Sequence, residues 1–175
     1  MRHLSRDTDK SQGFYVVAPD LLGHGLAPRS DRYKVEDLAE NILPRIAGED
    51  FELLIGHSLG GPVSLEVFPH LKIKPKRYVL VDPALEVDDM RMEMVKKINL
   101  NDVKTRPSAA EYAQQRPNWT ENATIAKSLA ACLTSAEALE YIGTVGWPHD
   151  MLLTQSLTLP GNETMVVHEE VATSK

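Results

Sequence analysis

The chain has 175 residues, 42% of them hydrophobic, and a net charge of −6 at pH 7, an ordinary globular composition with enough apolar residue for the core of one domain. The acidic balance argues against a nucleic-acid surface, which needs clustered Lys and Arg, and the single cysteine excludes an internal disulfide. No apolar stretch reaches membrane-spanning length and no apolar leader core follows Met1, so a cytoplasmic protein is the default expectation.

Residues 1–12 are polar, with Leu4 the main apolar side chain. Residues 15–18 (Tyr-Val-Val-Ala) are apolar without alternation, which predicts a central parallel strand covered on both faces. Residues 20–32 hold Gly23, Gly25, Pro28 and the charges Asp20, Arg29, Asp31 and Arg32, and read as loop. Val35, Leu38, Ala39, Ile42, Leu43 and Ile46 recur at helical spacing, predicting an amphipathic helix over 35–47. Glu36 and Asp37 suit the positive end of its dipole, and Pro44 marks a place for a kink or an early end. Residues 51–55 read as a strand and 63–68 as a helix. Lys72, Lys74, Lys76 and Arg77 read as a solvated loop before an apolar run at 78–81.

From residue 88 to 146 the character changes to short helical segments, 90–98, 109–115, 125–133 and 136–142, broken by Pro107 and Pro117. Cys132 sits in an apolar run and reads as a small buried core residue. Met90, Met92, Met94, Trp119 and Trp147 either pack this helical layer or line the roof of an apolar pocket. Residues 151–154 are a brief strand candidate, 164–167 are a second short apolar run, and the tail from His168 is polar. Alternating strands and helices give an α/β fold, a partial doubly wound parallel sheet with right-handed crossovers, carrying a helical insertion. The expected division is a core at 1–87, a helical cap at 88–150 and a partial return to the core at 151–175.

The stretch with chemical content is Gly56-His57-Ser58-Leu59-Gly60-Gly61. To project a serine hydroxyl from the end of a strand, the backbone must reverse within a few residues and force the serine into a strained conformation. Gly56 and Gly60 are expected to remove β-carbons that would collide where strand meets helix. The start of the helix leaves N–H groups near the serine, and the Leu59 N–H is placed to stabilise an oxyanion.

Three blocks, in order, resemble the α/β-hydrolase superfamily across residues 13–85. Phe14-Tyr15-Val16-Val17-Ala18-Pro19-Asp20-Leu21-Leu22-Gly23-His24-Gly25 is similar to its fourth strand and following turn, Gly56–Gly61 to its nucleophile elbow, and Tyr78-Val79-Leu80-Val81-Asp82-Pro83-Ala84 to its sixth strand. The resemblance makes residues 1–12 the end of a helix, residues 88–150 a cap, and Ser58 the nucleophile. A serine there, where some relatives carry an aspartate, implies acyl transfer to water from a small ester or other acyl substrate. It also implies a base near the end of the chain, for which His168 is the candidate, its other reading being an exposed residue of the polar tail. For the acid, the usual place after the seventh strand matches residues 153–157, which hold no carboxylate; some relatives place it after the sixth strand, where Asp82 stands, either in that role or bonding local N–H groups at the strand exit. His57, beside the nucleophile, takes a packing or pocket-lining role, His24 fixes its loop, and His149 ends the cap. The second oxyanion donor, usually on a His-Gly loop after the third strand, has no counterpart before Gly13. The reading is therefore of a hydrolase shortened at both ends, needing no cofactor and with no spacing that suggests a metal. The alternative is a catalytically incomplete domain of the same fold that binds a small apolar ligand or a partner.

Overall fold

A computed structural model describes residues 4–5, 15–85, 89–142 and 163–167. In chain order the elements are β1 (Leu4–Ser5), β2 (Ala18–Pro19), α1 (Val35–Ile46), β3 (Leu53–His57), α2 (Gly60–Val67), a 3-10 turn (Phe68–His70), β4 (Arg77–Val81), α3 (Asp89–Thr105), α4 (Ala109–Gln115), α5 (Glu121–Leu133), α6 (Ala136–Ile142) and β5 (Glu163–Val167). They form two compact units, one from residues 1–33 and 89–145, the other from 34–88 and 146–175.

The second unit is built on a parallel sheet in the order β3-β4-β5, with Leu53 opposite Arg77 and His57 opposite Val81, and Val81 in turn opposite Val167. The apolar run at 164–167 thus joins the sheet as a strand. β3 runs on past Ile55 through Gly56 and His57, because its ladder with β4 continues to Val81. α2 crosses from β3 to β4, as a parallel pair requires. Its side chains Leu65 and, just beyond, Phe68 pack with Tyr78 and Leu80 of β4, and Leu54 and Leu85 lie against this cluster. The Phe68 and Tyr78 rings stack at 5.5 Å. Each fully buried side chain of this kind contributes about 1.5–3 kcal/mol.

α1 buries Val35, Leu38, Ala39, Ile42 and Ile46 and packs on α2. Its start is fixed by Asp37 Oδ2, which accepts the Lys34 N–H at 2.9 Å. Pro44 does not end the helix, which continues to Ile46; the ring lies on the exposed face and removes a single backbone donor. The lysines after α2 are used locally. Lys74 Nζ donates to the carbonyls of Phe68 (2.6 Å), Pro69 (2.8 Å) and Leu71 (3.1 Å), and Lys76 pairs with Glu52 at 2.7 Å on the surface.

In the first unit, both expectations for the start of the chain are corrected. Leu4 and Ser5 form a strand rather than the end of a helix, and residues 15–18 are not a central parallel strand. The only bridge there among the described residues is antiparallel, Leu4 with Pro19 and Ser5 with Ala18, and Tyr15 and Val16 are 54% and 46% exposed. A central strand needs a ladder along both edges, and Pro19, having no N–H, closes this one at its second residue.

The loop before α1 packs on the end of this unit's helices. Ser135 N donates to Gly23 O at 2.8 Å, Arg29 Nη2 donates to Leu133 O at 2.8 Å, and the Tyr33 ring meets Tyr141 edge-on at 5.9 Å. Lys127 of α5 reaches Asp102 (3.0 Å) and Asn99 (3.3 Å) of α3. Cys132 is exposed, not core. Its neighbour Ala131 takes the buried position, and one residue along a helix turns the side chain about 100° away. Trp119 stacks on Tyr112 at 6.5 Å yet stays exposed, as do Met90 and Met94, and Met92 is half-buried. Trp147 lies outside the described residues.

Candidate active site

The site lies where β3 and β4 end. Ser58 directly follows the last residue of β3, is exposed, and has a φ of +48°, a left-handed conformation that a residue with a β-carbon seldom adopts. Three backbone hydrogen bonds hold it there. Its N–H donates to Val81 O at 3.1 Å, and its carbonyl accepts from Gly61 N (2.9 Å) and Ala84 N (3.1 Å). Leu59 then has helical angles (φ −53°, ψ −33°) as the residue before α2. The chain passes from strand to helix within two residues, the bend that the sequence demanded.

Two glycines permit that bend, and one of them is not the expected one. A β-carbon on Gly56 would run into Ser64 Oγ and lie 2.6 Å from Gly60 O, so strand and helix approach too closely there for any side chain. A β-carbon on Gly61 would lie 2.5 Å from Pro83 Cβ. Gly60, expected to relieve a collision, has nothing within 4 Å of a β-carbon. The helix turns by about 100° between the two residues, which points Gly61 at the chain after β4 and Gly60 into open space.

The N–H of Leu59 finds no acceptor among the described residues and precedes the first turn of α2, where backbone donors and the helix dipole favour negative charge. Asp82 directly follows β4. Because His57 and Val81 are paired, Ser58 and Asp82 occupy matching positions at adjacent strand exits, and Asp82 also has a left-handed backbone, with φ +38°. That shared conformation has no signal in the sequence of residues 78–84.

His57 is exposed at the end of β3. In the other unit, His24 Nδ1 donates to Leu22 O at 3.0 Å, as a loop-fixing role requires. Burial is the main cause that holds its pKa below the ordinary value; Arg29 acts in the same direction, and the Leu22 bond and Asp20 oppose it. His149, His168 and residues 153–157 lie outside the described residues. Among the described residues no group of three or more His, Cys, Asp or Glu is arranged to hold a metal ion. Sequence reasoning missed a buried polar pair behind the bend, in which Ser64 Oγ and Tyr78 OH meet at 2.7 Å. Its only signal was a hydroxyl among apolar neighbours in each element, Ser64 between Val63 and Leu65 and Tyr78 before Val79.

The family model described as the alpha/beta hydrolase family matches residues 2–165. The chain belongs to this family. The alpha/beta hydrolase fold places its parallel strands and crossover helices as described above. The uncharacterized protein Rv2715 of Mycobacterium tuberculosis is 43% identical over 68 residues, which make up 35% of this chain and 20% of that protein. Lipase LipV of the same organism is 29% identical over 82 residues, 46% of this chain and 31% of LipV. The matches therefore span a third or less of these curated relatives. A solved carboxylesterase structure of the thaumarchaeon Nitrososphaera gargenis superposes with a TM-score of 0.62 at 17% identity, covering 91% of this chain and 63% of that one, a likeness of fold. Among the described residues no helix is long and apolar enough to cross a membrane.

Proposed function

We propose that this alpha/beta hydrolase is a serine hydrolase that transfers the acyl group of a small ester or similar acyl substrate to water, with Ser58 as nucleophile. The observation that carries the reading is the left-handed, exposed Ser58 on a two-residue turn between β3 and α2. Support of a coarser kind comes from the relatives, one named a lipase and one titled a carboxylesterase.

In this reading Ser58 Oγ attacks the substrate carbonyl carbon while a base takes its proton. The carbonyl oxygen becomes an oxyanion that accepts from the Leu59 N–H, and its collapse expels the alcohol, which receives the proton from the base. Water then repeats the sequence on the acyl-enzyme and frees the acid. Asp82 and His168 are assigned as acid and base. β3, β4 and β5 end in register at His57, Val81 and Val167, and the residues next in sequence are Ser58, Asp82 and His168.

A fluorophosphonate probe tests the nucleophile. Labelling of the folded chain, abolished in Ser58→Ala, is the expected result, and a folded wild-type chain that ignores the probe overturns the reading. His168→Ala and Asp82→Asn each test one assignment. Removing a base slows labelling by about 10²–10⁴-fold, and labelling at the wild-type rate removes that residue from the mechanism.

A further inference from the structure

The bend at Ser58 is held from behind by side chains with no place in the chemistry above. Gly61 is fixed on three sides: its N–H donates to Ser58 O (2.9 Å), its α-carbon seats against Pro83, and its carbonyl accepts from Ser64 Oγ at 2.7 Å. Ser64 has one hydroxyl proton, and a carbonyl can only accept, so that proton is committed to Gly61. Tyr78 OH, 2.7 Å from Ser64 Oγ, must then be the donor of the second bond. The result is a one-way chain, Tyr78 to Ser64 to Gly61, running from β4 through α2 into the residue that closes the Ser58 turn. Both side chains are buried, Tyr78 to 1% exposure and Ser64 to 6%, so water does not compete for these bonds. Ser64 Oγ also takes the space vacated at Gly56, which sets the helix against the strand.

We propose that Ser64 and Tyr78 are positioning residues that act as one unit, locking Gly61 and so holding Ser58 and the Leu59 N–H in their mutual geometry. The catalytic consequence rests on the serine-hydrolase reading; the locking of the turn does not.

The test uses the full chain and two readouts. Wild type and Ser58→Ala first report on the serine reading through fluorophosphonate labelling. Ser64→Ala, Tyr78→Phe and the double variant then report on the pair. The expected result is a maximal labelling rate about tenfold lower in each single variant, at an unchanged half-saturating probe concentration, with the double variant no slower than the slower single. Amide exchange at Gly61 is expected to rise about tenfold while α1 amides exchange as in wild type. Variants that show only a smaller folded fraction, with the folded molecules labelling and Gly61 exchanging at wild-type rates, overturn the proposal. So does faster exchange spread evenly over α1 and Gly61. If wild type itself is not labelled, the serine reading fails and Gly61 exchange alone decides the pair: acceleration confined to Gly61 upholds the lock, and unchanged exchange overturns it.

Discussion

Gly60 and Gly61 are adjacent in sequence and opposite in consequence. An alanine at 61 would drive its methyl to 2.5 Å from Pro83 Cβ, which the backbone on either side can relieve only by moving the turn; an alanine at 60 meets nothing within 4 Å. Gly61→Ala is therefore expected to destabilise the chain by about 1–3 kcal/mol, the range for overpacking. Gly60→Ala is expected to stabilise it by up to about 1 kcal/mol, since alanine loses less chain entropy in a helix. Urea midpoints of the two variants check both signs. At this scale the sequence disclosed Ser58, because the Gly-x-Ser-x-Gly spacing encodes a steric demand made within five residues. It did not say which of the two following glycines answers that demand. That depends on Pro83, more than twenty residues away and brought near only by the crossover to β4. The left-handed backbone of Asp82 and the pairing of Ser64 with Tyr78 were hidden for the same reason: each is a property of two strands and a helix already assembled.

Among elements, those with local punctuation were legible. α4 occupies Ala109–Gln115 as read, because Pro107 precedes it, Pro117 follows it and Ser108 caps it. Ser108 Oγ accepts the Glu111 N–H at 3.3 Å, and the Glu111 carboxylate accepts the Ser108 N–H at 2.8 Å, two orphan donors satisfied reciprocally. Ser108→Ala should cost about 1 kcal/mol, with faster amide exchange confined to α4 and its neighbours; uniform exchange rates would show that tertiary packing alone sets this helix. The spacing predicts an end to α3 near Ile98, yet the helix continues to Thr105, since neither Gly nor Pro stands between those residues to break it. The run at 15–18 was misread for the opposite reason. Its apolar residues fit a covered strand, but strand identity is conferred by neighbours, and the described neighbour is the two-residue β1.

At the scale of the whole molecule, the match over residues 2–165 and the parallel sheet agree with the order of motifs along the chain. Stability against pH is a property at this scale, and its sign follows from His24. The pKa of His24 lies below its ordinary 6.5 in the folded chain, so unfolding takes up a proton once the pH falls beneath that value. Its contribution is complete above about pH 6.5 and is lost as the pH drops toward the lower folded value. The carboxylates of Glu52, Glu111 and Glu137 are held below 4.5, chiefly by hydrogen bonds from Lys76, Ser108 and Ser135 respectively, and their contributions fade only in more acid solution. Acid should therefore weaken the fold in two stages, the first from His24. His24→Asn, which has no titrating group, is expected to flatten the thermal midpoint between pH 7 and pH 5; an unchanged slope would place the sensitivity elsewhere.

The left-handed backbone at residue 58 sets robustness against reactivity. Glycine would occupy that conformation at ease, so Ser58→Gly should unfold at higher urea than Ser58→Ala, by about 1 kcal/mol, and neither variant keeps a hydroxyl to offer. Drift that favoured sturdiness alone would erase the hydroxyl first, and a lineage that retains serine at this bend has something holding it there other than the durability of the fold.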